Sequence, residues 1–425
     1  MTSLSVLLVF VVSFYFIIKY KTKTLIYLII FLIPFRFEIF SIGGIGIRIT
    51  DILSLLYITL WIIKLMFGQI RKFDIKLLSP ILFFLIVVIV SFLVNAFRFS
   101  TIVNLVDLNR LILAMITGIA ISTSLKEKLN FIKVFKIWMV SATLSSAISM
   151  FIFFSNGYGI STLLSLNDLS VIEFYSIKFS NSLFFEDPNN LASYLLISIF
   201  ITLGLCLDNY IPYKYKYLCL SVQFFGLVLT LSRSAYIAAG IAAILFLFSY
   251  KIKDLRWLLI KLVVIFIIAI NAVPYIESLS SDTSAMSRLG LWQVGLNMTL
   301  SNPLLVVGVG NSSSFFIDYV SSSLLLYNPH FHNLFLTISS EIGLIGFVSF
   351  VTICLKHLYK WTQSNDKLYV CLCLALISYL FQSFGVEYFA SRHFWIFIPL
   401  IILYKTFSGK GGDPNGVSIS TSTSI

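Results

Sequence analysis

Long apolar runs recur along almost the entire chain, and many of them approach the length that crosses a lipid bilayer. A membrane-spanning helix needs about 20 predominantly apolar residues. Charged residues make up only 11% of the 425 residues, whereas a soluble domain contains about 25%. The pattern predicts an all-α polytopic membrane protein with about 12 or 13 transmembrane helices. The loops between the runs are too short to enclose a large soluble core.

The runs divide the chain into two sets of spans and one large loop. We predict transmembrane helices 1 to 10 within residues 1–273, a large loop with amphipathic helices at 274–331, C-terminal transmembrane helices at 332–405 and a disordered cytoplasmic tail at 406–425. The spans fall near 3–19, 24–41, 50–67, 77–96, 106–123, 132–154, 190–207, 216–231, 234–250, 257–273, 332–355, 368–385 and 391–404. The first run lacks a basic n-region and a small-residue cleavage site, which favours a retained span over a signal peptide.

Lysine and arginine are distributed unequally between the two sides that these spans define. The loops richest in basic residues hold twenty Lys and two Arg, and the positive-inside rule makes them cytoplasmic. The net charge of +12 therefore reflects topology rather than a nucleic-acid partner. The opposite side carries Lys178 and the arginines Arg36, Arg48, Arg98, Arg110, Arg233, Arg288 and Arg392. Lys would suffice for orientation, whereas Arg is a planar, always charged donor that suits phosphate.

A simpler interpretation remains open for some of these arginines. Several acidic residues are predicted on the same side, and they could pair with the guanidinium groups; they are Glu38, Asp51, Asp107 and Glu387. Pairing of this kind explains single arginines better than it explains the preference for Arg over Lys across the whole side.

The large loop at 274–331 contains a single basic residue, Arg288. Residues 285–300 have helical spacing, and Asn302-Pro303 ends the pattern. Its apolar stripe consists of Leu289, Trp292, Leu296 and Leu300, so we expect a helix along the membrane surface that presents Arg288 at its start. After the turn at 308–311, a second short helix is expected over about 312–326.

Arg233 and Arg288 are the two candidates for binding a phosphorylated lipid headgroup. Arg233 lies in a very short turn between two apolar runs, with Ser232 and Ser234 on either side, and is therefore held at the membrane boundary. Together the two guanidinium groups could clamp a pyrophosphate and stabilise the charge that develops on it. The alternatives are a snorkelling interfacial Arg233 and a solvated helix-end Arg288.

His332 is the candidate general base, because it opens a predicted span directly before Asn333. A helix N-terminus disfavours the imidazolium, so the ring should be neutral near pH 7; the alternative is a hydrogen-bonded interfacial histidine. His330 is a weaker candidate. Glu341 lies further along the same predicted helix, where an ionisable residue suggests function unless it pairs with a buried polar group.

The sequence also lacks several motifs for other chemistry. There is no D-x-D motif, no P-loop and no Gly-x-Ser-x-Gly elbow, and the five cysteines lie in apolar spans without metal-ligand spacing. We therefore expect no metal and no cofactor. Because the cytoplasmic loops are too short to bind a nucleotide sugar, the donor should be a preformed lipid-linked sugar reached from the opposite side.

Four stretches in this order resemble the O-antigen ligase / Wzy-type O-antigen polymerase superfamily. They are FFEDPNNLASYLL (184–196), LTLSRSAYIAAG (229–240), SRLGLWQVGLNMTLSNPLLVVGVGN (287–311) and HFHNLFLTISSEIGLIGF (330–347). Each stretch alone is weakly diagnostic, and the ordered set covers roughly the central 40% of the chain.

The resemblance implies a GT-C-like fold of about twelve transmembrane helices with a helical periplasmic loop, in the bacterial inner membrane. It also implies metal-independent, inverting glycosyl transfer from an undecaprenyl-pyrophosphate-linked oligosaccharide at the periplasmic face. The family's functional Arg, Arg and His carry over onto Arg233, Arg288 and His332, so these three are the predicted catalytic residues. The further candidates for substrate binding are Asn190, Asn333, Arg110 and Glu341. A chain-length regulator and a flippase are the expected protein partners.

Two functions inside the superfamily fit the sequence. We favour a polymerase that joins lipid-linked repeat units, because the loop lacks the basic character expected for binding a phosphorylated core. The alternative is a ligase that transfers the polymer to lipid A–core. A lipid-linked oligosaccharide flippase is a third possibility from another class, but such transporters usually place charges near the midplane, and here Glu341 is the principal case.

Overall fold

The computed structural model describes residues 22–42, 45–69, 75–99, 105–159, 161–162, 173, 176–178, 185, 187–249, 283–304, 307–320, 330–358 and 361–408. Almost all of this part is helical, and six of its helices are long and apolar enough to cross a membrane. The protein is an all-α polytopic membrane protein, as predicted. The predicted spans at 3–19 and 257–273, and the tail beyond residue 408, lie outside the described residues.

The helices follow the predicted spans closely in most places. The first half of the described chain contains α1 Lys23–Phe31, β1 Glu38–Ile42, β2 Ile45–Arg48, α2 Ile49–Met66, α3 Ile75–Phe99, α4 Leu105–Ser124 and α5 Lys128–Ser155. The second half contains α6 Pro188–Leu207, α7 Tyr213–Leu229, α8 Arg233–Ser249, α9 Thr283–Ser301, α10 Ser312–Phe315, α11 Leu334–Leu358, α12 Lys367–Gln382 and α13 Arg392–Ser408. Two short 3₁₀ turns cover Phe316–Tyr319 and Trp361–Gln363.

Helices α6 and α12 form the centre of the bundle, and α12 is buried along almost its whole length. Helix α12 packs against α6 and α8, α4 packs against α13, and α5 packs against α6 and α7. Helix α11 packs against α3 on one side and α9 on the other. The candidate loop helix α9 is therefore anchored on the helix that follows the two histidines.

The predicted span at 24–41 is wrong in its second half. Helix α1 ends at Phe31, and residues 38–42 and 45–48 form two antiparallel strands instead. Pro34 explains the end of the helix, because proline lacks an N–H and disfavours helical conformation in the residue before it. Beyond Pro34 the sequence reaches Gly43-Gly44, a pair that favours tight hairpins.

One expectation for the large loop needs correction. In its described part, the helix expected over 312–326 consists of the four residues of α10 and a 3₁₀ turn that ends at Tyr319, and residues 321–326 lie outside the described residues. Helix α9 matches its predicted range, and Leu289, Leu296 and Leu300 of the predicted stripe are exposed. The face of α9 that is buried within the protein uses Leu291, Val294 and Met298. These three residues pack with Val307, Phe316 and Phe331 in a cluster of their own.

Contacts link the described arginines of the predicted outer side into one end of the bundle, here called the arginine-rich end. Arg392 bonds Asp51 and lies within electrostatic range of Arg48 and Arg110. Arg36 lies over the Phe185 ring, 5.2 Å from its centroid, and close to Tyr388.

Lysines occupy the opposite end of the bundle. Lys23 Nζ lies 3.4 Å from Asn130 Oδ1, and Lys128 Nζ lies 2.5 Å from Asp366 Oδ2. The unequal distribution of Lys and Arg in the sequence is thus a division between two ends of the folded bundle.

Candidate active site

The turn that carries Arg233 joins α7 to α8 in only three residues. Leu231 has a φ of 48°, an uncommon conformation for a residue other than glycine. The carbonyl of the buried Ser232 accepts the backbone N–H groups of Ala235 and Tyr236, which starts α8. This sharp turn fixes Arg233 as the first residue of the new helix. A strained backbone next to a candidate site is consistent with a functional constraint.

Arg288 reaches the same place from α9. The meeting point is Gly385, in the loop between α12 and α13. A Cβ atom on Gly385 would lie 2.8 Å from Ser234 Cβ and 3.6 Å from Arg288 Nη1. The structure therefore brings together the turn of Arg233 and Arg288 of α9, which are distant in the sequence, and a side chain at Gly385 would press against Ser234.

His332 lies directly before Asn333, the residue that caps the N-terminus of α11. Its backbone is in the left-handed region, with a φ of 49°. Its backbone N–H donates to Glu387 Oε2 over 3.1 Å. Burial is the main cause of the lowered pKa of His332. The negative charge of Glu387 opposes this shift, and the smaller effect of the positive charge of Arg288 adds to it. The ring is therefore neutral near pH 7, as predicted, although burial rather than the helix N-terminus is the leading cause.

Glu387 is the residue at this site that sequence reasoning missed. Its Oε2 atom accepts bonds from the backbone N–H of His332 and, over 3.1 Å, from Thr337 Oγ1. Its Oε1 atom lies 2.6 Å from His330 Nδ1. The bond to Glu387 raises the pKa of His330. In the sequence Glu387 is one of a few acidic residues on the predicted outer side, where pairing with an arginine is an open alternative.

Asp187 adds a second carboxylate to this end. It caps α6, where its Oδ1 accepts the backbone N–H of Asn189 over 2.6 Å. The same carboxylate acts electrostatically on Lys178, Tyr388 and His332. The arrangement thus holds a neutral histidine and two guanidinium groups within one polar cluster, which suits proton abstraction beside a developing anion.

Residues 218–351 match the family model described as O-antigen ligase. This match includes Arg233, Arg288 and His332. This central part of the chain is therefore similar to the O-antigen ligase / Wzy-type polymerase superfamily. It is also 24% identical over 197 residues to a Rickettsia conorii protein provisionally named as a polysaccharide ligase, an alignment that covers 41% of this chain and 47% of the relative. The chain thus aligns with about half the length of that curated relative.

The superfamily match ends before Glu387 and begins after Asp187. Two carboxylates that shape the site therefore come from the parts of the chain on either side of the matched region. Their position depends on the packing of α6 and α12 in the centre of the bundle.

Glu341, a predicted substrate-binding residue, is buried within α11. Its Oε2 accepts the backbone N–H of Gly310 and its Oε1 accepts the Ser312 hydroxyl, each over 2.8 Å. Its backbone carbonyl accepts the N–H of Gly308 over 2.9 Å. Glu341 thus fastens the loop after α9 to α11, the helix that begins behind His332.

The backbone of α11 is interrupted beside this fastening. Gly343 has a φ of 82°, and a Cβ atom there would lie 2.3 Å from the carbonyl oxygen of Leu304. The next residue, Leu344, donates its N–H to the carbonyl of Pro303 over 2.8 Å. The kink therefore leaves the N–H of Leu344 available for the carbonyl of Pro303, and this bond holds the end of α9 against α11.

The remaining predicted binding residues are placed differently from one another. Asn333 Oδ1 caps α11 by accepting the backbone N–H groups of Phe335 and Leu336. Arg110 lies with Arg392, in the part of the arginine-rich end near Asp51. Asn190 is buried in the first turn of α6, and within the described chain its Oδ1 has no hydrogen-bond donor.

In the described ranges, no three His, Cys, Asp or Glu side chains are grouped so that they could hold a metal ion. The described cysteines Cys206, Cys219, Cys354, Cys371 and Cys373 are buried and unpaired with one another. A groove of about 570 Å³ lies between α3 and α11 and is lined by residues such as Phe83, Leu344 and Val348. None of the predicted site residues lines this groove.

Proposed function

We propose that this protein is a glycosyltransferase that uses a polyprenyl-pyrophosphate-linked glycan as donor. The observation that carries the proposal is the meeting of Arg288 with the Arg233 turn at Gly385, next to the His332 loop that Glu387 holds. Two permanent cations beside a neutral histidine match a reaction in which a phosphate ester leaves as a hydroxyl loses its proton.

The reaction proceeds in one displacement. The His332 imidazole takes the proton from an acceptor sugar hydroxyl, and the hydroxyl oxygen forms a bond to the anomeric carbon of the donor. The bond between that carbon and the phosphate oxygen breaks, and its electron pair leaves with the pyrophosphate. Arg233 and Arg288 stabilise the departing charge, and attack from the side opposite the leaving group inverts the anomeric configuration.

The arginine-rich end faces the periplasm in this proposal, with the bundle in the bacterial inner membrane. The lysine-rich end then faces the cytoplasm, in agreement with the positive-inside rule. A pre-assembled lipid-linked glycan would reach the site from the outer leaflet, where its pyrophosphate lies at the depth of the bundle end. A chain-length regulator and a flippase remain the expected partners.

The preferred acceptor is another lipid-linked repeat unit, which makes the protein a polymerase of O-antigen or a related surface polysaccharide. The argument is that the described part of the large loop offers Arg288 but no broad basic surface for a phosphorylated core. The second candidate is a ligase that transfers the polymer to lipid A–core. The matching family and the Rickettsia conorii relative are both described as ligases, which favours that second candidate.

A lipopolysaccharide gel of a deletion strain tests the proposal. The strain is complemented with wild type, Arg288→Ala, His332→Ala or the control Lys214→Ala, which changes an exposed residue at the opposite end. A single-repeat band that returns to a ladder with wild type and the control, but not with the two site variants, supports the polymerase. Bare core with polymer retained on the lipid supports the ligase with the same site.

Two results would contradict the proposed chemistry. One is a normal ladder with both Arg288→Ala and His332→Ala at wild-type protein levels. The other is transport of labelled lipid-linked repeat into vesicles by the purified protein without any new glycosidic bond, which would indicate a flippase.

A further inference from the structure

The segment between α5 and α6 reaches the turn that carries Arg233. Ile177 belongs to this segment and is 1% exposed. It packs in one apolar cluster with Phe153 at the end of α5 and with Leu229 and Leu231, the residues just before the turn. The left-handed backbone of Leu231 directs its side chain into this cluster. Apolar packing of Ile177 therefore holds the next residue in the chain close to the turn that carries Arg233.

That neighbour is Lys178, the only lysine predicted on the outer side. It is partly buried and lies within electrostatic range of both Arg233 and Arg288, with Asp187 as an opposing negative charge. Burial lowers the pKa of Lys178 to about 8, and the two guanidinium groups add to this effect. Three cationic side chains from separate parts of the chain thus converge against their mutual repulsion.

Convergence of this kind is favourable when an anion occupies the space between the cations. The cluster does not arise from one amphipathic helix, because the three residues come from the segment before α6, from the start of α8 and from α9. Asp187 compensates part of the charge, but it also caps α6 through the N–H of Asn189. A ligand with several negatively charged oxygens, such as a pyrophosphate, would fit between these three cations.

We propose that Lys178 is a third ligand of the donor pyrophosphate, and that it selects a pyrophosphate-linked lipid over a monophosphate-linked lipid. This inference rests on the proposed function and deepens it. The guanidinium groups of Arg233 and Arg288 can each form bidentate hydrogen bonds to phosphate oxygens. The ammonium group of Lys178 is a compact point charge on a flexible stem, which can follow the second phosphate as the glycosidic bond breaks.

A purely structural role is the competing explanation. In that case Lys178 balances Asp187 and stabilises the loop, and its loss lowers the stability of the free protein without changing which lipid it prefers. The two explanations differ in ligand selectivity, which a general loss of folding cannot mimic.

The test measures lipid binding by the purified full-length protein in nanodiscs. The probes are undecaprenyl pyrophosphate and undecaprenyl monophosphate, both without sugar. The variants are Lys178→Met, Lys178→Arg and Arg288→Ala, and the matched control is Lys214→Met, which removes an exposed lysine at the opposite end. Thermal unfolding of each ligand-free variant is recorded alongside.

We expect Lys178→Met to weaken pyrophosphate binding by about tenfold or more, the value of one charge-assisted bond. Monophosphate binding should change much less, Lys178→Arg should recover most of the affinity, and Lys214→Met should behave as wild type. If Arg288→Ala weakens pyrophosphate binding and Lys178→Met does not, the proposed role of Lys178 is wrong, whereas the proposed donor stands. Equal losses for both lipids in Lys178→Met lead to the same conclusion. Failure of the wild type to prefer pyrophosphate overturns the proposed donor and this inference together.

Discussion

His330 Nδ1 lies 2.6 Å from Glu387 Oε1, and the other carboxylate oxygen of Glu387 accepts the backbone N–H of His332. A single side chain thus holds the segment with both histidines against the loop between α12 and α13. The same loop contains Gly385, where Arg288 and Ser234 meet. The position of the candidate base relative to the cationic residues therefore depends on Glu387.

The first prediction concerns this positioning role. Glu387→Ala should lower transferase activity by about tenfold to a hundredfold, because a small displacement of a catalytic group can cost that much. Glu387→Gln should retain more activity, since the amide oxygen can still accept the His332 N–H. Steady-state kinetics on purified protein measure the effect. Thr337→Val is the control, because it removes only one of the bonds to Glu387; normal activity in Glu387→Ala would refute the role.

The His330–Glu387 pair should make stability depend on pH. The bond to Glu387 raises the pKa of His330 above its ordinary value of 6.5. Its stabilising contribution is therefore complete below pH 6.5 and is lost as the pH rises through the higher value of the folded state. The difference in unfolding temperature between wild type and His330→Asn should shrink over this range. The prediction is wrong if the difference in unfolding temperature between wild type and His330→Asn stays constant as the pH rises from below 6.5.

Activity should follow a bell-shaped pH profile in kcat/KM, which reports the free enzyme. His332 faces Glu387, Arg288, His330 and Asp187, and its lowered pKa places the acid limb below pH 6.5. The pKa of Lys178, about 8 with the site empty, should give the alkaline limb. Lys178→Arg should move only the alkaline limb upward, because arginine stays protonated. An acid limb above pH 6.5 would argue against His332 as the base.

Gly385→Ala should disturb the site without removing any polar group. The added Cβ would lie 2.8 Å from Ser234 Cβ, so the start of α8 must shift relative to Arg288. We expect at least about a tenfold loss of activity from the misplaced guanidinium groups. Gly159→Ala is the matched control, because the nearest atom to its added Cβ is 3.5 Å away. Equal activity in the two variants would show that the close contact at Gly385 is unimportant.

Glu341 distinguishes a structural fastening from substrate binding. Glu341→Ala leaves the Gly310 N–H and the Ser312 hydroxyl without their acceptor, which costs about 1–3 kcal/mol for each buried group. Glu341→Gln can bond both, with its oxygen toward Gly310 and its amide toward Ser312, and should remain stable and active. Thermal unfolding and activity are measured together. A stable but inactive Glu341→Gln would instead indicate that the negative charge itself acts on substrate.

Features that depend on local sequence could be predicted, whereas contacts between distant parts of the chain could not. Helix α9 was placed well because Asn302-Pro303 and the helical spacing are local signals. Its buried face was not, because Leu289, Leu296 and Leu300 are as apolar as Leu291, Val294 and Met298, and only the position of α11 decides between the two stripes. The strand pair 38–42 and 45–48 was missed because an apolar count treated Pro34 and most of the first strand as part of the span at 24–41.

The sequence by itself determined the membrane class and the separation of Lys from Arg, and it made Arg233, Arg288 and His332 the candidates for the site. These follow from local composition, from a hydrophobic length that a bilayer requires and from the chemistry of individual residue types. Only the tertiary structure decided that Glu387 holds both histidines and that Lys178 joins the two arginines. Those contacts join residues far apart along the chain, and helix packing, which no short stretch of sequence encodes, determines which of them meet.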